Sequence, residues 1–492
     1  MRFSLSCLAG VIAGLSLMTA SAQSDPVSDP LSPDAALADL ERLYAGLQTA
    51  EADLFAATPK RVFDAQYEAL REKYDEPIAL ADLHRDFQQF AALAGHAHTR
   101  MEGRNPGWSA YLDAGGLVFP LSLSVENGEV LVAAAPEDSA VQPGDRIRAL
   151  EGAPNPIWLA GLTRNISAET PELAYTQLAG GEPYYVWLEY GARDVFEVEL
   201  ERDGERLRLD LDAVPVDALS EMAELDTGFS LKGREARLLD EDIAYIRPGA
   251  FYNLDAATPE EAFLESAVEA YTAWIDEAFE SFLEAGVTDV IVDLRDNPGG
   301  SNSFSDPLIA WFADEQFRFA SDFQIRISPE TIDANQRRMD AMGASEESMS
   351  AKLAALYEGA EPGEIVSFDL PFAEPRAGRR FEGRVHVLVN RYSYSNAVNV
   401  GAIIQDYGFG LIYGEATRDM ATTYGAMEHF TLPNSGFLVG YPKALIIRPN
   451  GETRPHPLTP DVLLPAPSVR GPENVRLEAL TERIKAGEAE EY

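Results

Sequence analysis

Cysteine is almost missing from this chain. Cys7 is the single one in 492 residues, and it lies in an N-terminal segment expected to be removed. The remainder is therefore expected to have no disulfide, no thiolate nucleophile and no cysteine-ligated zinc. Basic residues are scarce as well, 39 against 81 acids, for a net charge of −42. That balance argues against nucleic acid and anionic lipid as partners, since both need basic patches. Only six of the 39 bases are lysine, so a catalytic ammonium has few possible sources. Long apolar runs are lacking too. Residues 5–17 are apolar, but this stretch is too short to span a bilayer. With Arg2 before it and Ala20-Ser21-Ala22 after it, the pattern reads as a secretory signal over 1–22. No membrane contact is expected after cleavage. A signal on a cysteine-free chain fits a bacterial periplasmic or secreted protein.

What is present suggests several domains. Residues 23–33 are rich in Pro, Ser and Asp and read as a linker. In 34–105, Leu40, Leu43, Leu47, Phe63, Leu70, Leu83, Phe87 and Phe90 recur at helical spacing, giving a small helical domain. Residues 106–220 change to short alternating runs with hairpin signals at Asn127-Gly128 and Asp203-Gly204, a β-rich module. From 225 to 466 the pattern is α/β. Thr258-Pro259-Glu260-Glu261 reads as a capping box, and an apolar stripe from Ala267 to Phe282 ends at Gly286. Residues 329–360 look helical, and 467–492 form a charged, peripheral tail.

Two stretches could carry chemistry. Residues 385–389 read as a buried strand. Asn390-Arg391-Tyr392-Ser393-Tyr394-Ser395-Asn396 follows as a polar corner, and an apolar helix runs on to Tyr407-Gly408. A serine at such a corner lies near unpaired amides and the positive end of a helix, where an alkoxide and an oxyanion are favoured. It also fits an ordinary N-cap. Asp293-Leu294-Arg295-Asp296-Asn297-Pro298-Gly299-Gly300 leaves another buried strand into a glycine turn. Its amides could line an oxyanion hole, or the segment could be a simple turn.

Together the two blocks resemble the tail-specific (C-terminal processing) serine protease family. Gln405-Asp406-Tyr407-Gly408, Gly414-Glu415-Ala416-Thr417, Leu432-Pro433-Asn434-Ser435-Gly436 and Thr459-Pro460-Asp461-Val462 fit the same pattern in the same order. The resemblance implies an α/β multidomain fold with a spiral ββα core like that of ClpP and crotonase. It also makes the β-rich module a divergent PDZ-like one. It implies peptide hydrolysis through an acyl-enzyme on Ser395, with Gly299 or Gly300 and Asn396 supplying oxyanion amides. Ala397 and Val398 depart from the family's serine and glutamate at those positions.

The processing branch places a lysine base 25 residues after the serine, and here that residue is Met420. A thioether takes no proton. The tricorn branch instead uses a histidine ahead of the PDZ-like module, which aligns His98 of Gly95-His96-Ala97-His98-Thr99 as the base. Its glutamate would fall near Arg454, making Glu452 a candidate orienting acid. Lys443 is a reserve base, and His386 reads as structural. His96 and His98 would share one face of a strand, but no third ligand accompanies them, so no metal or other cofactor is expected. The expectation is a serine endopeptidase acting on extended or unfolded polypeptide. The alternative is an inactive peptide-binding scaffold on the same fold. Oligomeric state stays open.

Overall fold

A computed structural model describes residues 30–223, 229, 231–256, 261–342, 348–464 and 475–488. The expected signal, most of the linker and the core of the Thr258 capping box lie outside the described residues. No described helix is long and apolar enough to cross a membrane.

The sheet that positions the site has six strands in the order Glu235–Leu238, Ile243–Arg247, Asp289–Asp293, Arg384–Val389, Leu411–Gly414 and Val462–Leu463. The first pair is antiparallel and the remaining pairs are parallel. Its central strands are largely apolar and buried because both faces are covered, as parallel sheets require. Ala244, Ile246, Val290, Val292, Val387 and Val389 pack against helices Glu265–Ala285, Asn302–Ala310 and Asn396–Tyr407. Ile243, Tyr245, Ile291, Leu388 and Tyr413 face the other way, onto Leu477, Leu480 and Ile484 of helix Val475–Lys485. That last contact corrects the expectation of a peripheral tail: the charged residues of the C-terminal helix hide an apolar stripe that covers the sheet. Gly286 ends the helix Glu265–Ala285 in the left-handed conformation, as its sequence suggests.

A second, antiparallel sheet runs Arg100–Met101, Leu438–Ile447, Asp322–Arg326 and Ile365–Ser367, with Thr423–Thr431 also paired to Leu438–Ile447. Helices Pro33–Ala50, Lys60–Lys73 and Leu80–Ala92 pack on it, joining Leu40, Leu43, Phe63, Phe87 and Phe90 to Phe430, Val439 and Tyr441. The β-rich module has its own core around Val130, Val132, Ile147, Phe196, Val198 and Leu200. Both hairpin turns form, with positive φ at Asn127, Gly128, Asp203 and Gly204. The module is less purely β than expected. Helices Ile157–Thr163, Pro171–Leu178 and Glu182–Tyr190 interrupt it, because Trp158, Leu159, Leu162, Leu178 and Val186 follow a helical period into the same core.

Candidate active site

Strand Arg384–Val389 runs into the 390–395 corner and then into helix Asn396–Tyr407. Ser395 stands at the junction with φ +52° and ψ −123°. This is a costly backbone for a residue bearing a Cβ, and sharp strand-to-helix turns of this kind present nucleophilic serines. The Ser395 side chain makes no capping bond, which separates it from an ordinary N-cap. Ser393 has the opposite fate. It is fully buried, donates to the Leu294 carbonyl at 2.7 Å and accepts from the Asn390 amide at 3.1 Å, pinning the corner to the neighbouring loop.

That loop is the glycine turn after strand Asp289–Asp293. The Tyr394 amide donates to the Asn297 carbonyl at 3.0 Å, and Asp296 and Asn390 exchange two hydrogen bonds. Arg295 grips Asp293 through two guanidinium contacts of 2.8 and 2.7 Å. Burial opposes ionisation of Asp293, but the guanidinium outweighs it and holds the carboxyl at about 2.

Gly299 and Gly300 have φ of +86° and +133°. A Cβ on Gly299 would lie 2.7 Å from the Asn396 nitrogen and 2.9 Å from the Ser395 Cβ, so only glycine allows this approach. The Gly299 amide, however, donates to Asn297 Oδ1 at 2.9 Å. Among the described residues no acceptor takes the amides of Gly300 or Asn396. Of the three expected oxyanion residues, Gly300 and Asn396 therefore keep free donors, while Gly299 supplies the close approach.

The 95–99 segment is a turn rather than a strand, so His96 and His98 do not share one face. His96 Nδ1 meets Glu51 Oε1 at 2.5 Å, and its ring stacks on Tyr424. His98 is buried and stacks on Tyr394, the residue before the serine, with ring centres 5.5 Å apart. Its Nδ1 is buried without a partner. Burial, then the nearby Arg100 charge, push its pKa down to about 4. His98 is thus beside the corner but not hydrogen-bonded to Ser395. Glu452 is not brought to it at all: it follows the Asn450-Gly451 turn, is exposed, and its carboxylate accepts the Arg454 amide at 2.9 Å.

Met420 is buried and bridges to Pro457. Lys443 is buried against Glu428 at 2.6 Å, and Arg338 binds the same carboxylate, so its ammonium is committed elsewhere. His386 is structural, held by Asp289 at 2.8 Å and by the Tyr413 hydroxyl. No group of three or more metal-binding side chains occurs among the described residues.

Two acids at the site were not legible in the sequence. Asp419 is fully buried and accepts the Ser395 amide at 2.5 Å and the Met420 amide at 2.8 Å. Glu169, from the β-rich module, accepts the Ala97 amide at 3.1 Å. Burial raises both, and the Asp419 charge raises Glu169 further.

Residues 242–464 match the model of peptidase family S41. The matched segment is that of a serine-type peptidase, and the Ser395 corner lies within it. Among solved structures, mature CPAF is similar at TM-score 0.57 and 15% identity, covering 92% of this chain and 96% of that one. A point mutant of CPAF gives TM-score 0.59 at 14% identity with the same coverage. CPAF complexed with lactacystin gives TM-score 0.55 at 14% identity, covering 93% and 98%. At this identity the likeness is one of fold. The search of curated proteins finds no match.

Proposed function

We propose that this protein hydrolyses peptide bonds of extended or unfolded polypeptide through an acyl-enzyme on Ser395, with His98 as general base. The observation that carries the reading is the Ser395 backbone: a strained corner with an uncapped hydroxyl beside the unclaimed amides of Asn396 and Gly300. In this mechanism Oγ attacks the scissile carbonyl carbon while its proton passes to His98. The new oxyanion takes hydrogen bonds from the two amides. The C–N bond then breaks as His98 returns the proton to the leaving amine, and water repeats the path to release the acid.

The unpartnered Nδ1 of His98 supports this role: no neighbour claims it, so it is available as the basic atom. Catalytic hydrogen bonds commonly tighten only once substrate is bound, so the stacked position on Tyr394 is a starting geometry. The β-rich module, read as PDZ-like, orients the substrate, which binds by strand addition to a sheet edge. Removal of residues 1–22 delivers the enzyme to the periplasm or the medium.

A fluorophosphonate probe tests the reading. Wild-type protein is expected to label and Ser395→Ala not to. Lactacystin, found in complex with mature CPAF, serves as a second probe. His98→Ala is expected to abolish turnover; unchanged hydrolysis in that variant removes His98 as base. Failure of any probe to label wild-type protein supports the peptide-binding scaffold.

A further inference from the structure

The loop carrying His98 is held from the β-rich module, by the link between helices Ile157–Thr163 and Pro171–Leu178. Ser167 Oγ accepts the His96 amide at 3.1 Å and donates to the His96 carbonyl at 2.7 Å. Two residues on, Glu169 Oε1 takes the Ala97 amide, while its Oε2 is buried with no partner. Asp419 has its two oxygens engaged by the amides of Ser395 and Met420. The two carboxyls are close enough that the Asp419 charge bears on Glu169. Tyr394, against which His98 stacks, feels both, and its hydroxyl is likewise buried and unpartnered.

We propose that Glu169 is a positioning residue for the Ser395 reaction: it fixes the loop that carries His98, as Asp419 fixes the Ser395 amide. The inference rests on the serine-peptidase reading of Ser395. Burial of both carboxyls, and the Asp419 charge bearing on Glu169, disfavour ionising the two together. Asp419, with two N–H donors, keeps the charge, and Glu169 holds the proton. The other ionisable groups facing Glu169 are His96, on the loop it holds, and Tyr394, on the corner; Arg100 and Glu102 act on Tyr394 from beyond. Loss of that proton leaves two buried negative charges acting on each other and weakens the hold of Glu169 on the His98 loop.

The test compares fluorophosphonate labelling rates of wild type, Glu169→Gln and Glu169→Ala from pH 5 to 9, with thermal melts alongside. The wild-type rate is expected to fall as the pair loses its proton. Glu169→Gln keeps an acceptor for the Ala97 amide but cannot ionise, so it should label well and lose that alkaline fall. Glu169→Ala should label on the order of 10- to 100-fold more slowly, the scale of a small misplacement of a catalytic group. If Glu169→Ala does not fold, the Glu169→Gln profile decides. A Glu169→Gln profile identical to wild type, or a folded Glu169→Ala labelling at the wild-type rate, overturns the positioning role alone. An unlabelled wild type overturns the Ser395 reading and this role with it.

Discussion

The backbone nitrogen of Asn396 stands 2.7 Å from the point where a Cβ would sit on Gly299. The glycine turn and the helix Asn396–Tyr407 are therefore in contact at backbone level, and Gly299→Ala must push them apart. Gly286 is the control: it has a similar φ, +79°, but open space around its Cβ position. Gly286→Ala should cost about 1–2 kcal/mol of backbone strain and leave Ser395 labelling unchanged. Gly299→Ala should cost more and lower labelling at least tenfold. Equal labelling of the two variants counts against the close approach as a requirement of the site. Chemical denaturation with probe labelling measures both effects.

The two serines of the corner separate cleanly. Ser393→Ala removes the hydroxyl that joins the Leu294 carbonyl to the Asn390 amide, leaving buried groups unpaired at a cost of about 1–3 kcal/mol. The folded fraction should still label, because Ser395 is intact. Ser395→Ala should do the reverse, ending labelling without loss of stability. Its strained φ means that the hydroxyl, not the packing, is what the position serves. A mass-mapped probe adduct on Ser393 contradicts the assignment.

Met420, 25 residues after Ser395, is packed as core. Met420→Leu should cost less than about 1.5 kcal/mol as a near-isosteric exchange. Met420→Lys buries an ammonium and should lower the melting temperature markedly. It should not relieve the dependence on His98. A Met420→Lys protein that labels faster than wild type, and still does so when combined with His98→Ala, points to a latent Ser–Lys mechanism.

The corner at Ser395 was readable because the hydrophobic period changes there from a buried strand to a helix, with polar residues only between. The covering helix at Val475–Lys485 was missed because its charged residues outnumber the three apolar ones that reach the sheet. The helices between 157 and 190 were lost among stronger β signals on either side. Glu169 and Asp419 lie 250 residues apart, in segments with no motif of their own; only the docking of the β-rich module on the peptidase domain brings them together. Glu452 was chosen by position relative to Pro460-Asp461, and local turn geometry claims its carboxylate instead. The candidate base is legible in the layout of the chain, but that its Nδ1 is left without a partner shows only in the packed structure.

The pH dependence of stability follows from groups whose titration the fold displaces. Burial raises Asp296 and Asp306 to about 7. The folded state then holds protons that the unfolded chain releases above about 4, so this contribution falls as pH rises from about 4 to 7. His84 and His98 act in the opposite sense. Burial lowers both to about 4, so the unfolded chain takes up protons below about 6.5 that the fold refuses, and stability rises with pH across that interval. Above 6.5 His84 and His98 no longer contribute; His96, where burial is outweighed by the Glu51 carboxylate and the ring is held above its ordinary value, loses its stabilisation as pH rises, in the same sense as the acids. Asp289 and Asp293, held at about 2, matter only below 4, where their stabilisation is lost on acidification. The melting temperature should therefore fall between pH 6.5 and 8. Asp296→Asn, which keeps a carbonyl oxygen for Asn390, should fall less steeply. Calorimetry at several pH values checks this: a melting temperature that rises over the interval, or a variant with the wild-type slope, contradicts the assignment of Asp296 as a proton holder.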